Sequence, residues 1–366
     1  MRSKHSKKIA IDARMVTSVP HGFSRYVTAI AQGLAQVSKH LDYEPVFLVC
    51  KNCPREALNP FEKYTVRAPF LHPSELIELP RVLSKLKVDI YHSPTFSSLL
   101  IAPCPWIVTV HDLNHLQFGG IWQKIYYKVL LKHFVFHARA VMSVSEFSKQ
   151  ELAKWMGFLK KDIEVVPNAI NPELFEAPSK SEQNLVLQKY GLESNRYFFC
   201  LSNPKPHKNV GMLVEAFSDY RHEMGVPAAW PLVLSMGGFS DVNGVKALGG
   251  LNDFEGRVLM HSCGALVFPS LYEGFGLPPV EAVAIGIPVI TSKIPPHEEV
   301  LRDCGSDGLV LADPTDKEQW VSAMLLASGG GIPGASSGTR QKIRGKYTIE
   351  KLGQNMDRIY RRVLKL

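Results

Sequence analysis

Two glutamates, Glu273 and Glu281, flank a glycine loop in the stretch ALVFPSLYEGFGLPPVEAVAIGIPVITS, residues 265–292. A carboxylate is an acceptor with two oxygens, suited to the vicinal hydroxyls of a sugar or ribose. Between the acids stand Gly274 and Gly276, then Pro278 and Pro279, whose fixed φ suits a helix start. The prolines have no N–H, so amides for an anionic ligand are expected from Gly274, Phe275, Gly276 and Leu277. Lys208 precedes a helix marked by Leu213 and Phe217, so its ammonium can reach a phosphate held at the helix mouth. His111 ends an apolar run, Trp106 to Val110, the place where open α/β sheets bind ligands. Each residue also has a plainer reading. Glu281 could complement a helix dipole, Glu273 and Lys208 could be solvated, and His111 could be a packed histidine. Taken together they describe a phosphate or sugar site.

The elements that must position these groups follow an α/β rhythm. Ala265 to Pro269 reads as a strand, Gly286 as the stop of the helix after the loop, and Pro288 to Thr291 as the next parallel strand. Earlier, Lys8 to Asp12 reads as a first strand, followed by the loop HGFSRY and a helix with Tyr26, Ile30, Leu34 and Val37 at helical spacing. Val46 to Val49, Val66 to Ala68 and Ile90 to His92 add short β-branched runs, which argues for a doubly wound domain. No GxGxxG follows the first strand, so a dinucleotide site loses its main support. Residues 171–195 read as a polar linker, and Tyr197 to Ser202 opens a second α/β domain. The run SGGGIPGASSG at 328–338 reads as flexible. Residues 349–366 form an amphipathic helix with Met356, Ile359, Tyr360 and Val363 on one side.

At 366 residues with 45% hydrophobic content, the chain has room for two ordinary cores. Its basic start is followed by an apolar run broken by Asp12 and Arg14, so no signal peptide is expected, nor any transmembrane span. Six scattered cysteines suit a reduced, cytoplasmic protein, and the single CxxC at Cys50 and Cys53 is a weak zinc signal. The net charge of +8 is uneven: residues 1–178 hold 22 Lys+Arg against 15 Asp+Glu, or +7. Part of that excess lies on IWQKIYYKVLLKHFVFHARA, residues 121–140. This reads first as a core helix with Lys124, Lys128 and Lys132 on one wet face, and alternatively as a surface helix that meets anionic lipid.

Glu-x7-Glu around GFGLP, with the run that follows it, resembles the signature of retaining glycosyltransferases of family 4, whose fold is GT-B. The arrangements IDAR…HGFSRY, VHDL and PHKN…LVEAF resemble further segments of that family, and bacterial polysaccharide and lipopolysaccharide mannosyltransferases in particular. The resemblance implies two Rossmann-like domains, 1–178 on the acceptor side and 179–345 on the nucleotide-sugar side, with a donor cleft between them. Residues 346–366 would cross back as a helix onto the first domain. It also implies roles. Glu273 and the Phe275 to Leu277 backbone would hold the donor sugar and Glu281 the ribose. Gly22 and Lys208 would meet the diphosphate, His111 would reach the reacting centre, and Ser145 and Asn168 would face the cleft. Ser202 stands where many members carry an arginine, with Lys205 as an alternative cation.

The implied reaction moves a hexose, with a lean towards mannose, from a GDP- or UDP-sugar to a glycan or lipid-linked acceptor. No DxD occurs in the chain and no cofactor or metal is implied. Retention would follow front-face attack with the departing phosphate as base. Peripheral contact with anionic membrane fits the basic first half, whereas its aromatic and basic residues form no recognised nucleic-acid module. Two other readings share the fold: a nucleotide-sugar epimerase, and a sugar-nucleotide binder without catalysis.

Overall fold

The computed structural model describes residues 6–17, 21–37, 41–157, 162–225 and 228–366. The chain divides into two compact units, one of residues 1–169 with 347–366, the other of residues 170–346. In the first, β1 (Lys7–Asp12), β2 (Tyr43–Val49), β3 (Glu62–Thr65), β4 (Ile90–Ser93), β5 (Trp106–Val110), β6 (Ala140–Ser143) and β7 (Ile163–Val165) make one parallel sheet, ordered 3-2-1-4-5-6-7. Strands buried on both faces alternate their side chains between two cores. Ile9, Ile11, Ile90, Ile107 and Met142 pack on one face with residues of the Gly22–Gln36 and Ile349–Leu364 helices. Ala10, Tyr91, Val108 and Val141 pack on the other.

The Ile349–Leu364 helix lies tightly against the Gly22–Gln36 helix because both contribute a glycine at the crossing. A Cβ on Gly33 would come 2.7 Å from the Gly353 nitrogen, and one on Gly353 would come 2.2 Å from the Gly33 oxygen. Tyr360 then reaches into the sheet, its hydroxyl 2.7 Å from His92 Nδ1, and the Tyr43 hydroxyl donates to Asp357.

In the second unit β8 (Phe198–Cys200), β9 (Leu232–Leu234), β10 (Val245–Ala247), β11 (Ala265–Phe268), β12 (Val289–Ser292) and β13 (Leu309–Ala312) form another parallel sheet, ordered 10-9-8-11-12-13. Phe198, Leu232, Val267 and Ile290 meet Phe217, Tyr220 and the buried Trp320. Strand order reverses between β1 and β4 in the first sheet and between β8 and β11 in the second, and such reversal points open a crevice at the carboxyl ends.

Four expectations are corrected. Residues 171–195 are more than a linker: they hold a 3-10 turn, Pro172–Phe175, and a helix, Lys180–Tyr190, started by a Ser179–Glu182 capping box. The 328–338 run is packed, with Gly334 against the Gly286 carbonyl and the Ser336 N–H bonded to Asp307, and a helix begins at Ser337. Strand β3 is Glu62–Thr65, a polar edge strand, and Val66 to Ala68 follow it. The helix expected over 121–140 ends at His137 and carries a π turn at Tyr127–Leu131.

Candidate active site

The second sheet's reversal point brings the proposed phosphate and sugar groups together. After β8 a 3-10 turn, Pro206–Lys208, ends at Asn209 in the left-handed conformation, fixed by its side-chain amide on the Pro314 carbonyl. After β11 the chain is tied to that turn, since the Leu271 N–H donates to the His207 carbonyl at 2.8 Å. Lys208 Nζ consequently meets Glu273 Oε1 at 2.5 Å, and Ser270 Oγ donates to the same oxygen at 2.7 Å. Lys208 also lies 5.3 Å from the Phe268 ring centroid. Burial alone would push the Glu273 carboxyl up, but the Lys208 charge and hydrogen bond, with smaller help from His297 and Ser270, hold it below its ordinary value. Neither residue is simply solvated: each side chain is 14% exposed.

Gly276 sits at φ +86° as the N-cap of the Leu277–Ile285 helix, with no side chain capping that end, and Gly286 stops the helix in the left-handed region. Glu281 falls in the second turn of this helix, which starts at Leu277. Its side chain is buried, at 5% exposure. Phe275 is buried within the loop. Ser202 is locked to β9: its N–H donates to Ser235 Oγ at 2.9 Å and that hydroxyl donates back to its carbonyl at 3.0 Å. Lys205 is exposed on the turn before Lys208.

The first unit gathers its own set along the carboxyl edge of its sheet. Gly22 opens the helix after β1, is exposed, and has open space where a Cβ would project. His111 follows β5, with its Nε2–H donating to the Pro94 carbonyl at 2.9 Å and its ring edge-on to Tyr26 and Phe23. Burial pushes its pKa down to about 4, against the pull of the Pro94 carbonyl. Ser145 is the buried N-cap of the Glu146–Met156 helix, its hydroxyl accepting from the Ser148 N–H. Asn168, after β7, keeps a buried Oδ1 with no partner among the described residues.

One buried group at the second unit's site carried no sequence signal. His297, in the Pro295–Val300 helix after β12, lies against Gly276. Its pKa is pushed down to about 4 by burial, against Glu273 and the Ser292 carbonyl.

Two family models match the chain: Glycosyltransferase Family 4 over residues 20–174 and Glycosyl transferases group 1 over residues 242–328. The O-antigen chain mannosyltransferase of Salmonella typhimurium is 30% identical over 225 residues, 59% of each chain. O-antigen chain mannosyltransferase B of Escherichia coli is 28% identical over 272 residues, 67% of this chain and 66% of that one. The matches thus span roughly three fifths to two thirds of those relatives. Anabaena HepE, solved in complex with UDP and glucose, superposes with a TM-score of 0.73 at 17% identity, covering 97% of this chain and 99% of that one.

Proposed function

The chain belongs to glycosyltransferase family 4 with a GT-B fold, and from that premise we propose that it is a retaining hexosyltransferase using a nucleotide-diphosphate sugar. The observation that carries the reading is the Lys208–Glu273 pair beside the glycine loop at a sheet reversal point. A diphosphate entering there competes for Lys208, and the freed Glu273 carboxylate accepts from the sugar's hydroxyls. Charge on the leaving diphosphate is then met by Lys208 and loop amides, the term that usually lowers such barriers most. His111, neutral and donating from Nε2, offers Nδ1 as an acceptor. With a pKa near 4 it is a poor general base, which leaves the departing phosphate to take the acceptor's proton. Mannose as the sugar and an O-antigen type of glycan as the acceptor are favoured by the names of the two O-antigen relatives.

The test is calorimetry with GDP, UDP and ADP and their hexose conjugates, followed by product anomer analysis by NMR. If Glu281 holds ribose, Glu281→Ala weakens free nucleotide about tenfold, the scale of a lost charged hydrogen bond. Glu273→Ala leaves free nucleotide binding intact or tighter, because it releases Lys208, and damages turnover. Equal losses of free nucleotide in both variants would defeat this division.

The acceptor reading rests on the first unit's surface. No helix among the described residues is long and apolar enough to cross a membrane. The 121–137 helix nevertheless exposes Trp122 at 79%, along with Ile121, Ile125, Val129 and Phe136, beside Lys124 and Lys128. Lys132 is otherwise engaged: it donates to the Trp155 carbonyl and lies over the Trp155 ring. Apolar and aromatic tips among lysines suit an anionic bilayer surface carrying a lipid-linked acceptor. Lys124 and Lys128 would add about 1 kcal/mol each. Co-sedimentation with anionic vesicles should fade with salt and fall further for Trp122→Ala with both lysines changed to Glu. Indifference to lipid charge and to these changes would make the acceptor a soluble molecule.

A further inference from the structure

His297 is completely buried, and the proton on its ring can be placed. Its Nδ1 lies 2.9 Å from the Ser292 carbonyl and 3.0 Å from Thr291 Oγ1. The carbonyl can only accept, and the Thr291 hydroxyl already donates to the Phe268 carbonyl at 3.1 Å. Nδ1 therefore bears the hydrogen, and Nε2 presents a lone pair. That lone pair is buried with no partner among the described residues, a rare condition that calls for a physical reason. Its cover is Gly276: a Cβ at that position would stand 2.6 Å from Nε2, so only glycine fits. Gly276 is the left-handed hinge between Glu273 and the helix that carries Glu281.

We propose that His297 belongs to the donor site, its Nε2 accepting a hydrogen bond from a hydroxyl of the bound nucleotide sugar once the Gly276 backbone shifts. The inference rests on the donor-site reading given above. Phosphate oxygens are acceptors and would be repelled by this lone pair, whereas a sugar hydroxyl can donate to it. The Lys208 ammonium, a competing donor, is paired with Glu273 here and would be engaged by the diphosphate once a donor is bound. A glycine cover gives the loop freedom to shift that any other residue would lack.

Two substitutions separate this role from simple anchoring. His297→Asn keeps an amide near Nδ1 that can donate to Ser292 and removes Nε2. His297→Gln places an amide oxygen near Nε2. Both are compared with wild type by melting temperature and by titration with GDP-mannose, UDP-glucose, GDP and UDP. The Asn variant should lose about tenfold in affinity for the sugar nucleotide while binding the free nucleotide as wild type does, and the Gln variant should stay within about threefold. Unchanged sugar-nucleotide binding by the Asn variant would overturn the role of His297 alone, as would an equal loss of free nucleotide. A wild type that binds neither sugar nucleotide would overturn the donor-site reading and this contact with it.

Discussion

Lys208→Ala is expected to cost the second unit about 3 kcal/mol of stability and to weaken sugar-nucleotide binding by about 1.5 to 3 kcal/mol, two losses with different causes. The stability loss comes from Glu273. With its ion pair gone, the carboxylate keeps the Ser270 hydroxyl at 2.7 Å, and burial, the largest influence on it, is no longer outweighed. Its pKa then rises instead of falling. The binding loss comes from the missing cation at the diphosphate. A neutral pair, Lys208→Met with Glu273→Gln, removes the stranded charge and should recover most of the melting temperature without recovering affinity. Denaturation and calorimetry on wild type, Lys208→Met, Glu273→Gln and the double variant separate the effects. Wild-type affinity in Lys208→Ala would take Lys208 out of the site.

The strand, loop, helix and strand of residues 265–292 were legible because each boundary has a local cause: an apolar run, prolines at the helix start, and Gly286 in the left-handed region at its end. Which groups touch was less legible. Lys208 and Glu273 are 65 residues apart, and only the reversal of strand order between β8 and β11 makes them neighbours. His297 sits in a run of prolines and glutamates with no ligand-like spacing, so its burial beneath Gly276 had no sequence signal. The polar stretch at 171–195 concealed a helix because its apolar face is small, Val186 and Leu187, and its start depends on a capping box. Glycines at 329–334 suggested freedom, yet Gly334 is there because its backbone touches that of Gly286. Composition reports what a chain can do alone; these contacts depend on what lies opposite.

Acidification should destabilise both units, and buried histidines are a main reason. Burial pushes His92 down to about 3, with His111 adding to the effect and Asp12 opposing it, and pushes His111 and His297 to about 4. An unfolded histidine titrates near 6.5, so between that value and the native ones the unfolded chain binds protons that the folded chain excludes. Each histidine's contribution is whole above pH 6.5 and shrinks by about 1.4 kcal/mol per pH unit below it. By pH 4.5 His92 and His111 cost the first unit about 5 kcal/mol and His297 costs the second about 3 kcal/mol, to which His261 adds, since burial lowers its pKa too. Glu75 offsets part of the first unit's loss. Burial raises its carboxyl despite Arg14, so it gains a proton in the folded state before it would in the unfolded one. A domain with 5 to 15 kcal/mol in hand is still brought close to failure, at about the scale of these losses. His92 bridges the Tyr360 hydroxyl at 2.7 Å and Thr109 Oγ1 at 3.0 Å, so protonating it also disturbs the hold of the Ile349–Leu364 helix on the sheet. Scanning calorimetry at pH 7, 5.5 and 4.5 should show a transition for each unit, both falling with pH. His92→Gln should lower that of the first unit at pH 7 while flattening its dependence on pH. A wild-type slope in His92→Gln would place the first unit's acid sensitivity elsewhere.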